Sequence, residues 1–369
     1  MSAITLAAVG DIAFAGPLGA DPMATVGRIA PGVRDLLKAD IVLGDLEGPL
    51  SDVPPVGSSS LVLWSPPRSV EALKALGVSV VSLANNHILD CGREGLETTL
   101  RTLDAHGILH FGAGRNLAEA TAPAIVTVSG VRVGFLGFNG GTVATSDRPG
   151  TLPIESAPTR RVVAEARARC DFLVGYFHEG IEAVNYPLRA TIEACHEAVE
   201  AGANLVLGAH PHTIQGIEIY NETPIAYSVG NFIIPMAMPY YYETWRKQCG
   251  LARMGIDFDK KTILRALVLR CELSPGRKVE ARGWPIFVDE DGLPRLPRTD
   301  EAAEAEAFLR EISEAFDHPD APCWRQRDEI EKGFYRLQRS ELSMGFVLRN
   351  LNRLRWRHIV SFVKLLARS

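Results

Sequence analysis

The stretch "NLVLGAHPH" at residues 204–212 joins a short apolar run to two histidines that flank a proline. A run this brief, bounded by a polar residue and a glycine, is typical of a strand buried within a sheet. His210 and His212 follow it directly, in a chain that has nine histidines in total. The stretch therefore predicts a buried strand whose end carries two potential metal ligands.

Four more apolar runs end in a similar way. "TLAAVG", "DIVLG", "VVSLAN" and "DFLVGYF" lead, in that order, to Asp11, to Asp45 and Glu47, to Asn86 and His87, and to His178. Amphipathic stretches with helical spacing separate these runs, and this alternation indicates an α/β protein. Because ligands of such sheets bind beyond the carboxyl ends of the strands, we expect these side chains to meet.

Antiparallel strands are also predicted. "APAIVTVSGVRVGFLGF" and "IQGIEIYNETPIAYSVGNFI" each contain two strand-like runs joined by a turn, so mixed sheets are expected. Long strand-like runs follow residue 250, and an acidic helical stretch follows them. We predict a metal-dependent domain over residues 1–290 and a helical C-terminal extension over residues 291–369.

Composition narrows the possible functions. The chain has 369 residues, of which 46% are hydrophobic and 22% charged, and its net charge is −5. An acidic chain is not expected to bind nucleic acid, which attracts basic surfaces. No run approaches the ~20 apolar residues of a membrane span, and the N-terminus lacks the basic region of a signal peptide. We expect a cytoplasmic protein without stable membrane insertion, and no oligomeric state is predicted.

Carboxylates, an amide and imidazoles form a mixed oxygen and nitrogen set that suits Mg, Mn, Ca, Fe or Zn. Other roles stay open for several of these residues. Asp11 could cap a turn, and Asn86 could satisfy buried backbone groups. Asp90 could be the N-cap of the following helix, or it could orient His87 as carboxylates commonly do for working imidazoles.

Several blocks of this sequence resemble the successive motifs of one protein family. They are "GDIAFAG", "ADIVLGDLEGPLS", "VSLANNHILDCGREGLETTLRTLDAHGILHFGAG", "FHEGIEAVNYP" and "GAHPHTIQGIEIYNETPIAYSVGNFI", from about residue 4 to 235. The family is the CapA family of bacterial poly-γ-glutamate capsule synthesis proteins, which resembles the calcineurin-like metallophosphoesterases in fold. The resemblance implies a four-layer αββα sandwich of two mixed sheets, with metal held by loops at one edge.

The resemblance also implies a role for each matching residue. The implied metal ligands are Asp11, Glu47, Asn86, His178 and His210. His87 would transfer protons, and His212 would be either a last ligand or a neighbour of the ligands that takes part in catalysis. Asp45 matches the family less well than Glu47. Ala13 stands where the phosphoesterase pattern has a histidine, so one divalent ion is expected, with Mn, Mg or Ca tolerated and Zn not obligatory.

Three functions are compatible with the resemblance. We expect an enzyme similar to lasso-peptide epimerases, which invert an amino-acid α-carbon, with His87, Asp90 and His212 moving protons on a peptide substrate. Ala13 counts against a dinuclear phosphoester hydrolase. The absence of a predicted membrane segment counts against a component of capsule or poly-γ-glutamate synthesis. The aromatic stretch "MPYYYETW" at residues 238–245 could pack in the core, which is the commoner role of such residues. Its functional interpretation is a loop beyond the metal site that grips the peptide.

Overall fold

The computed structural model describes residues 3–56, 62–274, 276 and 278–341. The last part of the predicted extension, residues 342–369, lies outside the described residues. The strands are β1 (Ile4–Ile12), β2 (Ile41–Leu46), β3 (Val80–Ser82), β4 (Leu109–Phe111), β5 (Ala113–Gly114), β6 (Ala124–Val128), β7 (Val131–Asn139), β8 (Gly150–Thr151), β9 (Phe172–His178), β10 (Leu205–Ala209), β11 (Ile217–Tyr220), β12 (Thr223–Ala226), β13 (Asn231–Ile233), β14 (Arg265–Ser274), β15 (Lys278–Val288) and β16 (Pro294–Arg295).

Helices lie between these strands and after them. They are α1 (Pro22–Gly27), α2 (Pro31–Leu36), α3 (Ser69–Ala75), α4 (Gly92–His106), α5 (Leu117–Ala120), α6 (Ser156–Arg167), α7 (Arg189–Glu200), α8 (Pro239–Arg246), α9 (Gly250–Arg253), α10 (Lys261–Leu264), α11 (Thr299–Glu314) and α12 (Pro322–Glu341). In the described part of the chain, no helix is both long enough and apolar enough to span a membrane.

Two mixed sheets form the centre of the fold. The first has eight strands in the order β16-β15-β14-β1-β2-β3-β4, with β13 pairing to the end of β1. The second has six strands in the order β11-β12-β10-β9-β7-β6. Strands β1 to β4 are mutually parallel, as are β7, β9, β10 and β12, whereas the β6–β7 and β11–β12 hairpins are antiparallel. The predicted mixed sheets are therefore confirmed.

The alternation of side chains along the strands builds four layers. In β1, Leu6 and Ala8 point into a core between the sheets, where they meet Phe135 and Val174 of the second sheet. Residues of the opposite face of β1, such as Val9, pack against α2, α3 and α4. The outer face of the second sheet packs against α6 and α7. The structure is thus the predicted αββα sandwich, with a calcineurin-like fold.

Two local predictions differ from the structure. The amphipathic stretch between β1 and β2, "VGRIAPGVRDLLKA", has helical spacing but is not one helix, because Pro31 lies at the first turn of α2 and separates it from α1. The aromatic stretch at residues 238–245 is not a loop but lies mainly in helix α8, which begins at Pro239. Strong tertiary packing explains the second difference, since Tyr242 and Trp245 are buried on one face of this helix.

Candidate metal centre

The registers of the two sheets bring the polar strand ends to one edge. Asp11 of β1 pairs directly with Asp45 of β2. In the second sheet, His178 ends β9 and pairs with Ala209, the residue before His210. Parallel strands place their carboxyl ends at the same edge, and the two sheets are stacked with these edges together. Residues that are far apart in sequence therefore converge.

Two overlapping groups of potential ligands form at this edge, and Asp11 belongs to both. In each group, Asp11–Asp45–His178 and Asp11–Glu47–His212, the ligand atoms lie within 4.8 Å of one another and the residues are buried. His178 Nδ1 is 3.5 Å from Asp45 Oδ2 and 3.9 Å from Asp11 Oδ1. His212 Nδ1 is 3.2 Å from Asp11 Oδ2, and its Nε2 is 3.7 Å from Glu47 Oε1.

Several buried polar atoms of this centre make no hydrogen bond to any described residue. They include both carboxylate oxygens of Glu47, Oδ1 of Asp45, and Nδ1 of His178 and of His210. Buried polar groups are normally hydrogen-bonded, because an unpaired one costs about 1–3 kcal/mol. Oxygen and imidazole donors left unpaired around one point fit a divalent cation, which would satisfy them together.

Burial also changes the protonation of the carboxylic acids. It raises the pKa of Asp45 well above its ordinary value, and the negative charge of Asp11 raises it further. Burial is likewise the main reason why the pKa of Glu47 is raised, although the charge of His212 opposes the shift. A bound divalent cation would reverse this tendency because it stabilises ionised carboxylates.

The histidines of the centre do not behave alike. Burial lowers the pKa of His178 well below its ordinary value and lowers the pKa of His210 to about 3, and neighbouring histidines add to both shifts. Burial alone would also lower the pKa of His212, but the charges of Glu47 and Asp11 outweigh it and raise that pKa to about 10. Without a metal, His178 and His210 are therefore neutral and can act as ligands.

The segment that follows β3 contributes two asparagines with different contacts. Asn86 Oδ1 lies 2.9 Å from His178 Nε2, so the side chain of Asn86 reaches the centre. Asn85 donates from Nδ2 to the Leu46 carbonyl at 2.8 Å and to Asp45 Oδ2 at 3.3 Å, and its Oδ1 accepts from the Gly48 amide at 3.3 Å. Asn85 thereby anchors the chain around Glu47, whereas Asn86 is available to the centre.

His87 and Asp90 form a hydrogen-bonded pair. His87 Nδ1 is 2.7 Å from Asp90 Oδ2, and His87 is only 8% exposed. Asp90 is not the N-cap of α4, because Cys91 occupies that position. It also accepts a hydrogen bond from the Leu63 amide at 2.8 Å. Of the two roles left open by the sequence, the geometry favours orientation of His87.

The backbone around His210 and His212 is unusual. Both residues have positive φ angles, 95° and 55° respectively, which few residues other than glycine adopt. Such conformations persist where surrounding contacts impose them, and they occur often at functional sites. They follow Gly208, where an added Cβ would lie 1.9 Å from the Tyr227 carbonyl oxygen. The close strand pairing thus requires glycine just before the histidines.

Asn231 fixes the orientation of His212. Its Oδ1 is 2.9 Å from His212 Nδ1, and its Nδ2 donates to the carbonyls of His212 and Ile263 at 3.1 and 3.0 Å. An Nδ1–H that donates to Asn231 leaves the Nε2 lone pair of His212 free for a metal. The ring of Trp245 packs edge-on against His212, with centroids 6.1 Å apart.

The predicted ligands and catalytic residues thus lie around one centre. The two ligand groups, however, do not contain the same residues as the predicted ligand set. Asp11, Glu47 and His178 are in the ligand groups. His212, for which both a ligand role and a catalytic role were left open, is in a ligand group, whereas His210 is in neither. His210 nevertheless borders the centre, since its ring centroid is 4.9 Å from that of His178. The individual roles, and the number of ions, stay predictions.

Several residues of the site were missed or undervalued from the sequence. Asp45 takes part directly in one ligand group. Asn139 donates to the His178 carbonyl at 2.8 Å from the end of β7, and Asn231 begins β13. Glu182, four residues after His178, is partly exposed, and its charge raises the pKa of both Glu47 and His212. Polar residues at strand ends were the available signal for the two asparagines.

Fold and site together define a protein with a calcineurin-like fold and a cluster suited to a divalent metal. Residues 5–236 match the bacterial capsule synthesis protein family PGA_cap, and the chain belongs to that family. The fold is similar to a crystal structure described as a novel phosphatase from Mycoplasma pneumoniae, with a TM-score of 0.52 and 14% sequence identity. That similarity covers 82% of this chain and 97% of the other and concerns the fold alone.

Named relatives are known from several bacteria. The capsule biosynthesis protein CapA of Bacillus anthracis is 31% identical over 54% of this chain and 51% of its own length. The PGA biosynthesis protein CapA of Bacillus subtilis is 32% identical over 53% of each chain. A probable polyglutamine synthesis accessory protein of Mycobacterium tuberculosis is 34% identical over 63% of this chain and 62% of its own length. The matches thus span about half the length of the two Bacillus relatives.

Proposed function

We propose that this protein is a metal-dependent acid/base enzyme that acts on a peptide and epimerises one amino-acid α-carbon. The observation that carries the proposal is the His87–Asp90 pair, with Nδ1 and Oδ2 2.7 Å apart. His87 follows Asn86, which contacts His178, and the charge of His87 contributes to the lowered pKa of His178. A proton-transfer group therefore borders the ligand cluster.

The arrangement suits removal of an α-proton. If His87 donates its Nδ1–H to Asp90, the lone pair of Nε2 is free to accept the proton from the α-carbon. The electron pair of the broken C–H bond then moves toward the neighbouring carbonyl, whose oxygen gains negative charge. A divalent ion, when bound, supplies electrostatic stabilisation of such charge. The pair Asp11 and Glu47 would hold that ion together with the histidines of the centre.

Inversion requires a proton from the opposite face of the planar α-carbon. His212 was the predicted donor, but its contacts with Asp11 at 3.2 Å and Asn231 at 2.9 Å favour a ligand role. Glu182 is our candidate for the second group, because it is partly exposed and its charge acts on Glu47 and His212. A proton delivered from that side of the α-carbon would restore the C–H bond with the other configuration.

Exchange in deuterium oxide tests the proposal. The manganese-loaded protein is incubated with peptides encoded near its gene, and deuterium is located by mass spectrometry and NMR. We expect deuterium at one α-carbon and a mixture of two epimers. No exchange into any of these peptides, together with efficient cleavage of phosphoesters, would replace epimerisation by hydrolysis.

Phosphoester hydrolysis is the second candidate, because of the similarity in fold to a protein described as a phosphatase and because two ligand groups share Asp11. Ala13, which is buried, counts against it because it offers no ligand where that class has a histidine. Release of nitrophenol from p-nitrophenyl phosphate and its bis ester, with Mn²⁺ present, tests this function directly.

A role in capsule or poly-γ-glutamate synthesis is the third candidate. It is favoured by family membership and by the names of the relatives from Bacillus and Mycobacterium tuberculosis. Deleting the gene and measuring surface polymer tests it. Loss of the polymer, restored by the wild type but not by a His87→Asn variant, would show that the acid/base site serves that pathway.

A further inference from the structure

Helix α12 buries a guanidinium against the chain that surrounds the metal centre. Arg327 is 4% exposed. Its Nη1 donates to the carbonyl of Pro187, its Nε lies 2.8 Å from Asp328 Oδ1, and its guanidinium lies 5.0 Å from the centre of the Trp324 ring. Because burial of a cation is costly unless it is paired and hydrogen-bonded, these contacts make the docking of α12 at this point specific.

Pro187 belongs to the loop formed by residues 179–188, which connects His178 to α7. Tyr186 of this loop also packs edge-on against Trp324, with ring centroids 5.4 Å apart. Asp328 forms an ion pair at 3.2 Å with Arg189, the first residue of α7. The amino-terminal half of α12 therefore holds the carboxyl-terminal end of the 179–188 loop from outside.

The same loop is fastened on its other side to the segment that carries His210 and His212. The Ala183 amide donates to the Pro211 carbonyl at 2.7 Å. Asn185 Nδ2 donates to Thr213 Oγ1 at 2.7 Å, and Gln215 Nε2 donates to a carbonyl of the loop, that of Val184, at 2.8 Å. These bonds bracket two histidines whose positive φ angles must be imposed by their surroundings.

Helix α12 is also connected to the centre through a chain of hydrophobic contacts. Ile330 and Phe334 pack on a hydrophobic cluster that contains Ala13 and Trp245. Trp245 in turn contacts the ring of His212, as described above. One helix beyond the residues that match the family therefore supports both neighbours of His212, the loop and the indole.

We propose that Arg327 is a positioning residue for the metal centre. It does not touch the ligands but holds the 179–188 loop, and through it the strained backbone of residues 210–212. The inference does not depend on the reaction catalysed, and it applies equally to an epimerase and to a hydrolase.

Three variants of the full chain test the proposal. Arg327→Met removes the hydrogen bonds while keeping an aliphatic stem, and Arg327→Lys restores the charge with fewer donors. Arg295→Met is the matched control, because it removes a paired arginine that contacts Glu301 and not the loop. Amide hydrogen exchange, Mn²⁺ titration and thermal unfolding are measured for each variant.

In Arg327→Met we expect faster exchange of the amides in residues 183–188 and 210–215. We also expect Mn²⁺ binding to weaken about threefold to tenfold, less than for loss of a group that contacts a ligand directly. Arg327→Lys should recover much of both losses. Arg295→Met should lower the melting temperature without changing either readout.

Exchange that accelerates only within α12, or Mn²⁺ binding that weakens equally in Arg295→Met, would overturn the proposal and reduce Arg327 to a stabilising contact. Wild-type affinity for Mn²⁺ in Arg327→Met would do the same. None of these measurements uses a peptide substrate, so their failure is distinguishable from failure of the proposed epimerisation.

Discussion

Charged side chains are arranged differently at the metal centre and in the C-terminal region. At the centre, Asp11, Asp45 and Glu47 are fully buried together, and several of their oxygens lack a hydrogen-bond partner among the described residues. In the C-terminal region, Arg295 pairs in a bidentate manner with Glu301, at 2.6 and 2.8 Å. Charged groups that stabilise a fold are paired within it, whereas donor atoms that serve a ligand are left without a hydrogen-bond partner until the ligand binds.

The largest expected effect comes from Asp11→Asn, because Asp11 is shared by both ligand groups. We expect Mn²⁺ binding to weaken by more than about 100-fold, beyond the range seen when a neighbour of a ligand is lost. Thermal stability of the metal-free protein should not fall, since one of three crowded carboxylates is removed. Elemental analysis and calorimetry measure the two quantities.

Asp257→Asn is the matched control for this change, because Asp257 is exposed and paired with Arg246. It should leave metal binding unchanged. If Asp11→Asn retains Mn²⁺ at wild-type affinity, the unpaired oxygens of the centre have another purpose and the contrast between the two regions fails.

His87→Asn should have the next largest effect. We expect it to lower the turnover rate without changing the amount of bound metal. Loss of a general acid or base typically lowers the rate by about 10²–10⁴-fold. The ligand groups do not include His87, so the bound metal should be retained. Deuterium exchange and metal content, measured on the same sample, separate the two roles. Loss of metal in this variant would mean that His87 is a ligand.

Asn231→Ala is expected to act through His212. Removal of a hydrogen-bond partner of a ligand commonly weakens metal binding about 10–100-fold. Asn204→Ala is its control, because Asn204 Oδ1 accepts the Leu173 amide at 3.0 Å next to the amino-terminal ends of β9 and β10. Titration with Mn²⁺ should distinguish them. Equal affinities in both variants would contradict the assigned role of Asn231.

The smallest expected effect is on stability and concerns the ion pair between Arg295 and Glu301, whose contribution depends on pH. The hydrogen bonds from Arg295 lower the pKa of Glu301 from 4.5 to about 2. The pair therefore contributes stability above pH 4.5, and this contribution is lost as the pH falls toward 2. Because the pair is partly exposed, we expect Arg295→Met to cost about 1 kcal/mol at neutral pH.

Urea unfolding of the wild type and Arg295→Met, measured from pH 7 to pH 3, tests this dependence. The difference between them should shrink as the pH falls. A difference that stays constant would show that Arg295 stabilises the protein by packing against Phe287, whose ring lies 5.0 Å from its guanidinium, and not through its charge.

Much of the fold could be predicted because local patterns agree with it. The apolar runs before Asp11, Glu47, His178 and His210 are all buried strands, and both hairpins form. Side-chain alternation in a strand and helical spacing in a helix are properties of neighbouring residues, so they can be read from the sequence. Helix α8 differs from the predicted loop because its aromatic face is stabilised by partners from other parts of the chain, such as His212 and Phe334, which pack near Trp245.

The sequence by itself determined which residues could form the site, because five apolar runs each end in side chains able to bind a metal and the carboxyl ends of such strands meet at one edge of a sheet. It could not assign Asp45 to a ligand group, distinguish the roles of His210 and His212, or identify Arg327. These depend on strand register, on positive backbone angles and on the docking of a helix more than 100 residues away along the chain. Such contacts form only when the two sheets and α12 pack together, because no local pattern encodes a distance between segments far apart in sequence.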